Sequence, residues 1–200
     1  MSDFCKFIVF EGLDNSGKST HSKALVRRMQ DNGQKVVWTC EPGSPLHSLN
    51  VRDFLLSRTK VSPKALELLF MADRAEHNEA LKGYIENDYS VVADRSFISG
   101  VAYAVANGFE FEDLTPLLQF VGVIRPTVII YLDIPSEEAN SRRIGNGLEA
   151  TREEDKPAEF QDKLAATFKT VIETMKLPYI YIDGTKPCDE IVKIIDAFIG

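Results

Sequence analysis

The sequence predicts an α/β fold of three layers, a five-stranded parallel sheet held between helices on both faces. Three observations predict it. Short runs rich in β-branched and aromatic residues recur at 6–11, 35–40, 89–94, 127–133 and 179–183. Segments with helical spacing separate these runs, and such alternation builds parallel strands through right-handed crossovers. A glycine-rich loop, "GLDNSGKST" at 12–20, joins the first run directly to the first helical segment.

The elements follow in order. "FIVF", "VVA" and "TVIIYL" are continuously apolar, as expected of strands covered on both faces. The first helix is predicted over 18–31, where "DNG" stops it, and a second over 48–57. Pro63 opens a long helix that runs to about residue 86. Further helices are predicted over 98–106, 113–123, 136–144, 157–175 and 189–198. In sheets of this kind ligands gather at the carboxyl ends of the strands. Glu11, Glu41, Asp94 with Arg95, and Asp133 all stand at or just past such ends.

A chain of 200 residues with 44% apolar and 26% charged residues suits one domain with a substantial core, and it contains no internal repeat or low-complexity tract. A net charge of −7 argues against general binding to nucleic acid, which needs a basic surface to displace counterions. The N-terminus "MSDFCKF" lacks the pattern of a leader, and no apolar run approaches the ~18 residues of a membrane span. A cytoplasmic protein is expected. Cys5, Cys40 and Cys188 are odd in number and far apart, so reduced, partly buried thiols are expected rather than a disulfide framework or a zinc site. His21, His47 and His77 show no metal-ligand spacing, and Trp38 is read as core.

The chemistry starts in the loop. "GLDNSGKS" fits Gly-x-x-x-x-Gly-Lys-Ser between a strand and a helix, a pattern that cradles nucleotide phosphates. Gly12 and Gly17 allow close backbone approach, Lys18 can reach the β- and γ-phosphates, and the Ser19 hydroxyl can ligate Mg2+. The expected donor-binding set is Gly12, Asn15, Ser16, Gly17, Lys18, Ser19 and Thr20, with ATP or GTP as the nucleotide. No guanine-reading Asn-Lys-x-Asp segment is present. In "ELLFMADRAEH", Phe70 and Arg74 lie four apart on one helix face, where a ring can stack on a base and a guanidinium can donate to a carbonyl. In "VVADRSFISGVAY", Asp94 can anchor magnesium-bound water and Arg95 can clamp a phosphate.

Together "FIVFEGLDNSGKST", "TCEPGSP", "LFMADRAEH" and "VVADRSFISGVAY" resemble the thymidylate kinase family in order and approximate spacing. The resemblance implies a P-loop nucleotide kinase fold, ATP-dependent phosphorylation of dTMP to dTDP, and a homodimer. It puts Phe70 on the thymine ring, Arg74 on a thymine carbonyl, Arg52 and Arg95 on the acceptor phosphate, and Tyr103 against the deoxyribose. Asp14, Glu41 and Gly100 complete the acceptor side. Cys40 stands where the family commonly has arginine, and Ala104 where many members have glutamine. Asn15 supplies no charge at a loop position that is arginine in some members, which shifts the expected cation to a mobile lid at about 141–157. There Arg152 is expected at the transferring phosphoryl group and Arg143 near the adenine or donor phosphates, with Arg142 also available. The expected catalytic set is Lys18, Asp14, Arg95 and Arg152, with Ser19 and Asp94 serving the metal. Two other readings share the loop: a kinase for another nucleoside monophosphate or deoxynucleoside, and a nucleotide-binding regulatory module without catalysis. Retention of Lys18, Ser19, Asp94 and Arg95 argues against the second.

Overall fold

A computed structural model describes residues 6–49, 51–56, 59–149, 154 and 156–199. The elements are β1 (Phe7–Glu11), α1 (Lys18–Asp31), β2 (Val36–Cys40), α2 (Val51–Leu56), α3 (Pro63–Glu86), β3 (Ser90–Asp94), α4 (Phe97–Ala106), α5 (Phe111–Val121), β4 (Val128–Asp133), α6 (Ser136–Gly145), α7 (Ala158–Thr174), β5 (Tyr179–Asp183) and α8 (Cys188–Ile199). The five strands form one parallel sheet in the order β2-β3-β1-β4-β5, so the loop after β1 leaves the middle of the sheet.

Alternating strand residues feed opposite layers, because successive side chains of a strand point to opposite faces. Ile8, Phe10, Val92, Ile130 and Leu132 pack with Leu25 and Met29 of α1 and Ile191 and Ile195 of α8. On the other face Phe7, Val9, Val91 and Ala93 meet Leu81 of α3, while Ile129 and Tyr131 meet Leu164 and Phe168 of α7. Two covered faces leave no position for a polar residue, which explains the unbroken apolar runs of β1 and β4. β5 is an edge strand, and its Tyr179 and Tyr181 remain partly exposed.

Most predicted boundaries hold to within a residue or two, and the departures have local causes. α3 starts where Ser62 accepts a hydrogen bond from the Ala65 amide at 3.2 Å, with Pro63 in the first turn. α5 begins two residues before the predicted position, because Glu112 and Asp113 occupy its first turn, where acidic side chains complement the helix dipole. It ends at Gly122 in the left-handed region with φ 68°. Asp133 is paired with Lys169 of α7 at 2.7 Å, which accounts for that strand-end carboxylate structurally. Cys188 is exposed rather than partly buried, Cys40 is buried, and Cys5 lies outside the described residues. Trp38 is only partly buried at the rim of the core; its indole donates to Ser22 Oγ at 3.0 Å.

Candidate active site

Gly12 turns the chain out of β1 with φ 141°, and a Cβ there would stand 2.5 Å from the Leu132 carbonyl oxygen. Only glycine fits so near a neighbouring strand. The loop then feeds α1 through Gly17, and Lys18 folds inside it: its ammonium donates to the Leu13 carbonyl at 2.6 Å and to Ser16 Oγ at 3.4 Å. Burial, followed by repulsion from Arg95, pulls the Lys18 pKa down to about 8. An anion entering this cradle restores the charged form, since opposite charge favours ionisation. Ser19 opens outward and its hydroxyl donates to Asp94 Oδ2 at the end of β3. These two hard oxygens are the donor type a divalent metal takes, so Ser19 and Asp94 fit the metal role expected of them. Thr20 is exposed on the first turn of α1.

The second half of the site forms around Arg95. Its backbone is left-handed, φ 71°, a region that costs a non-glycine residue energy and persists only when the surroundings impose it. Here the Arg95 amide donates to the Phe10 carbonyl at 2.9 Å. The guanidinium donates to Gly12 O at 3.2 Å, Ser99 Oγ at 2.8 Å and Asp14 Oδ1 at 2.5 Å, and it lies 5.4 Å from the Tyr103 ring centroid. Tyr103 donates its hydroxyl to Asp14 Oδ2 at 3.0 Å. Asp14, Arg95 and Tyr103 are thus one cluster, built from the loop and α4. Burial opposes the charge on Asp14, but Arg95 and Lys18 outweigh it and hold the carboxyl below its ordinary range.

Behind Arg95 lies a carboxyl that the candidate list from sequence omitted. Glu11 is fully buried, accepts from the amide and hydroxyl of Ser96 and of Ser99, and is pushed up to about 7 by burial against the opposing pull of Arg95. The signal was present as a charged residue ending an otherwise apolar strand, followed at a distance by Ser-x-x-Ser after Asp94-Arg95.

Arg74 is held by a separate relay. Its Nε donates to Glu41 Oε2 at 3.1 Å, and His77 Nδ1 lies 2.7 Å from Glu41 Oε1. Burial works against the Glu41 charge; Arg74 and His77 prevail and keep its pKa below the ordinary value. The ionised carboxylate has no proton to give, so His77 Nδ1 donates to it. His77 Nε2 and Thr39 Oγ1 are hydrogen-bonded at 2.7 Å, as are Thr39 Oγ1 and Ser44 Oγ at 2.8 Å. His77 therefore acts on Arg74 through Glu41, not directly, and Arg74 does not pair with Asp73 or Glu79 on the surface. Asp73 instead accepts from the Gly43 amide at 3.1 Å, fixing the turn after β2. Phe70 stands half-buried one turn before Arg74. Gly100 has a steric reason: a Cβ on it would lie 2.4 Å from Arg74 Nη2, so glycine lets α4 approach the guanidinium. Ala104, by contrast, is buried on the core face of α4.

The remaining predicted cations are distributed differently. Arg52 is exposed on α2 and acts electrostatically on Cys40, which places it near the end of β2. Arg143 is engaged within its own segment, donating to Asn140 Oδ1 at 2.8 Å and Leu148 O at 3.3 Å. Arg142 pairs with Glu138 at 2.7 Å and reaches the Gly184 carbonyl past β5 at 2.8 Å. Arg152 lies outside the described residues. The Asn15 amide donates to Glu154 Oε1 at 2.7 Å, so the loop touches the predicted lid segment. His21, His47 and His77 have buried side chains, and among the described residues no group of His, Cys, Asp and Glu could hold a metal by itself. Also among the described residues, no helix is long and apolar enough to cross a membrane.

A family described as Thymidylate kinase matches residues 10–195. A probable thymidylate kinase of Thermococcus gammatolerans is 35% identical over 84% of this chain and 83% of its own length. One from Thermococcus kodakarensis is 32% identical over 97% of this chain and 98% of its own, and a thymidylate kinase of a Sulfurovum species is 33% identical over 96% and 98%.

Proposed function

The chain belongs to the thymidylate kinase family, and on that premise we propose how its residues carry out ATP-dependent phosphorylation of dTMP to dTDP. The observation that carries the proposal is the shared loop: the residues that fit a donor, Lys18 and Ser19, and the residue that fits an acceptor clamp, Asp14, lie in one turn of chain, with Arg95 bridging to it.

The acceptor phosphate has a second pKa near ~6 and is largely dianionic at neutral pH, so it attacks without a general base. The protein's task is to hold two repelling phosphates in line and to neutralise charge as it develops. Lys18 and the loop amides of Gly12, Asn15, Ser16, Gly17, Ser19 and Thr20 bind the donor. A divalent metal, Mg2+ in this reading, would be held by Ser19 and through water by Asp94, and would supply positive charge that screens the phosphates. Arg95 and Arg52 take the acceptor phosphate, Tyr103 and Asp14 border the sugar, Phe70 stacks on the thymine, and Arg74 donates to its carbonyl, beside Gly100 and Glu41. Residues 141–157 act as the lid of a single domain, with Arg152 over the transferring group and Arg143 on the donor side. Leu68 on α3 and Phe120 on α5, 57% and 91% exposed, supply apolar surface for the homodimer that goes with this reading, in the cytoplasm.

A coupled assay of the purified chain with ATP, magnesium and each nucleoside monophosphate tests it. Rapid ADP release with dTMP, exceeding that with every other acceptor, is expected; turnover only with a different acceptor, or with none, would overturn it.

A further inference from the structure

We propose that Glu11 is a positioning residue of the acceptor site, fixing the Arg95 guanidinium through the Ser99 hydroxyl so that it faces an incoming phosphate. The inference rests on the reading of Arg95 as the acceptor clamp and deepens it.

The geometry is a short chain of bonds. Glu11 Oε1 accepts from the Ser96 amide at 3.0 Å, Ser96 Oγ at 2.9 Å and the Ser99 amide at 3.3 Å. With the carboxyl ionised, Ser99 Oγ gives its proton to Glu11 Oε2 at 2.5 Å and with a lone pair accepts from Arg95 Nη1 at 2.8 Å. A hydroxyl has one proton, so a carboxylate that takes it leaves only acceptor capacity towards the guanidinium. Glu11 thereby sets the orientation of Ser99, and Ser99 sets one edge of the Arg95 fork. Asp14 and Gly12 O set the other contacts, which leaves the arginine with few alternative rotamers.

The same carboxyl holds the backbone. Ser96 and Ser99 begin α4, and Arg95 immediately before them carries the left-handed φ of 71°. Tying both serines to the last residue of β1 fixes the angle at which α4 leaves the sheet, and with it the place of Arg95. A free arginine side chain loses rotamer freedom when it binds, so ordering it beforehand strengthens phosphate binding. The cations facing Glu11 are Arg95 and Lys18, and Tyr131 of β4 adjoins it. Glu11 has no exposure at all, so it acts on the ligand only through these neighbours.

The test, run at about pH 8 where the Glu11 carboxyl is ionised, compares equilibrium binding of dTMP with that of thymidine, which has the same base and sugar and no phosphate, in the wild-type chain, Glu11→Gln and Ser99→Ala. Both substitutions are expected to weaken dTMP by about tenfold or more while thymidine changes less than about twofold, because only the phosphate meets Arg95. Glu11→Asp should recover part of the loss. A wild-type chain that binds dTMP no better than thymidine removes the acceptor reading and the inference with it. A wild-type preference that survives Ser99→Ala, or a loss that falls equally on both ligands, overturns the positioning role alone. Ser99→Ala keeps the Glu11 carboxyl and the backbone bonds, so it decides the matter even where Glu11→Gln does not fold.

Discussion

His77 shows how a residue without ligand contact can set a site. It is fully buried, and its two ring nitrogens join Thr39 to Glu41, whose second oxygen holds Arg74. Removing the ring leaves Glu41 with one partner fewer and lets the Arg74 fork turn. His77→Ala should therefore raise KM for dTMP about tenfold with a smaller change in kcat, the scale of one charge-assisted hydrogen bond; steady-state kinetics with dTMP varied would show it, and an unchanged KM would discard the relay. Glu11 makes a different prediction, about pH. Its carboxyl keeps a proton up to about 7 in the folded chain, against an ordinary 4.5. Between those values the folded state binds more protons than the unfolded one, so this residue's contribution to stability is present below 4.5 and lost as pH rises through 7. The loss amounts to roughly 3 kcal/mol at the scale of 1.36 kcal/mol per pKa unit. Urea unfolding at pH 5 and pH 8 should show a shallower decline in Glu11→Gln than in the wild type.

At the scale of elements, α3 stands out because its inward face is polar. Glu67, Asp73, Arg74, His77 and Asn78 are all buried on a helix whose apolar anchors are few. Hydrophobic periodicity reads such a helix poorly, which is why the start of α3 was legible from Pro63 while its partners were not. α7 is the opposite case. Leu164, Phe168, Val171 and Ile172 form an apolar stripe, and Phe168 meets Tyr103 and Tyr131 at centroid distances of 6.1 and 5.8 Å. Phe168 supports both the core and the tyrosine of the acceptor cluster. Phe168→Ala should cost about 3–5 kcal/mol in a chemical unfolding experiment, the range for a large buried ring; a loss below about 1 kcal/mol would mean the core closes over the gap.

For the whole molecule the question is how the two ends of the site meet. The loop lies at the centre of the sheet, and Asn15 already bonds Glu154 of the segment that follows α6. Lys156 likewise bonds Asn107 at the end of α4, so this segment touches both the glycine-rich loop and α4. In the proposed mechanism, with asparagine in the loop, the cation that steadies the transferring group comes from that segment. Arg152→Ala is expected to lower kcat by about 10³, the scale of an arginine finger, with dTMP affinity nearly unchanged. Rapid kinetics together with dTMP titration separates the two, and an undiminished kcat would take Arg152 out of the mechanism.

The sequence by itself determined the sheet, the phosphate loop and the family, because each is written in local pattern: apolar runs, glycine spacing and a lysine-serine pair adjacent in the chain. It also supplied the residues proposed for the acceptor side, since Asp14, Phe70, Arg74, Arg95 and Tyr103 sit in recognisable blocks. Only the tertiary structure decided what holds them. Glu11 reaches Ser99 across 88 residues and Glu41 reaches Arg74 across 33, and no local rule couples such distances. A buried carboxylate must find its donors wherever the sheet order brings them. Here the pairing of β1 with β3, and the helices that follow them, brings Glu11 and Arg95 together beneath one site.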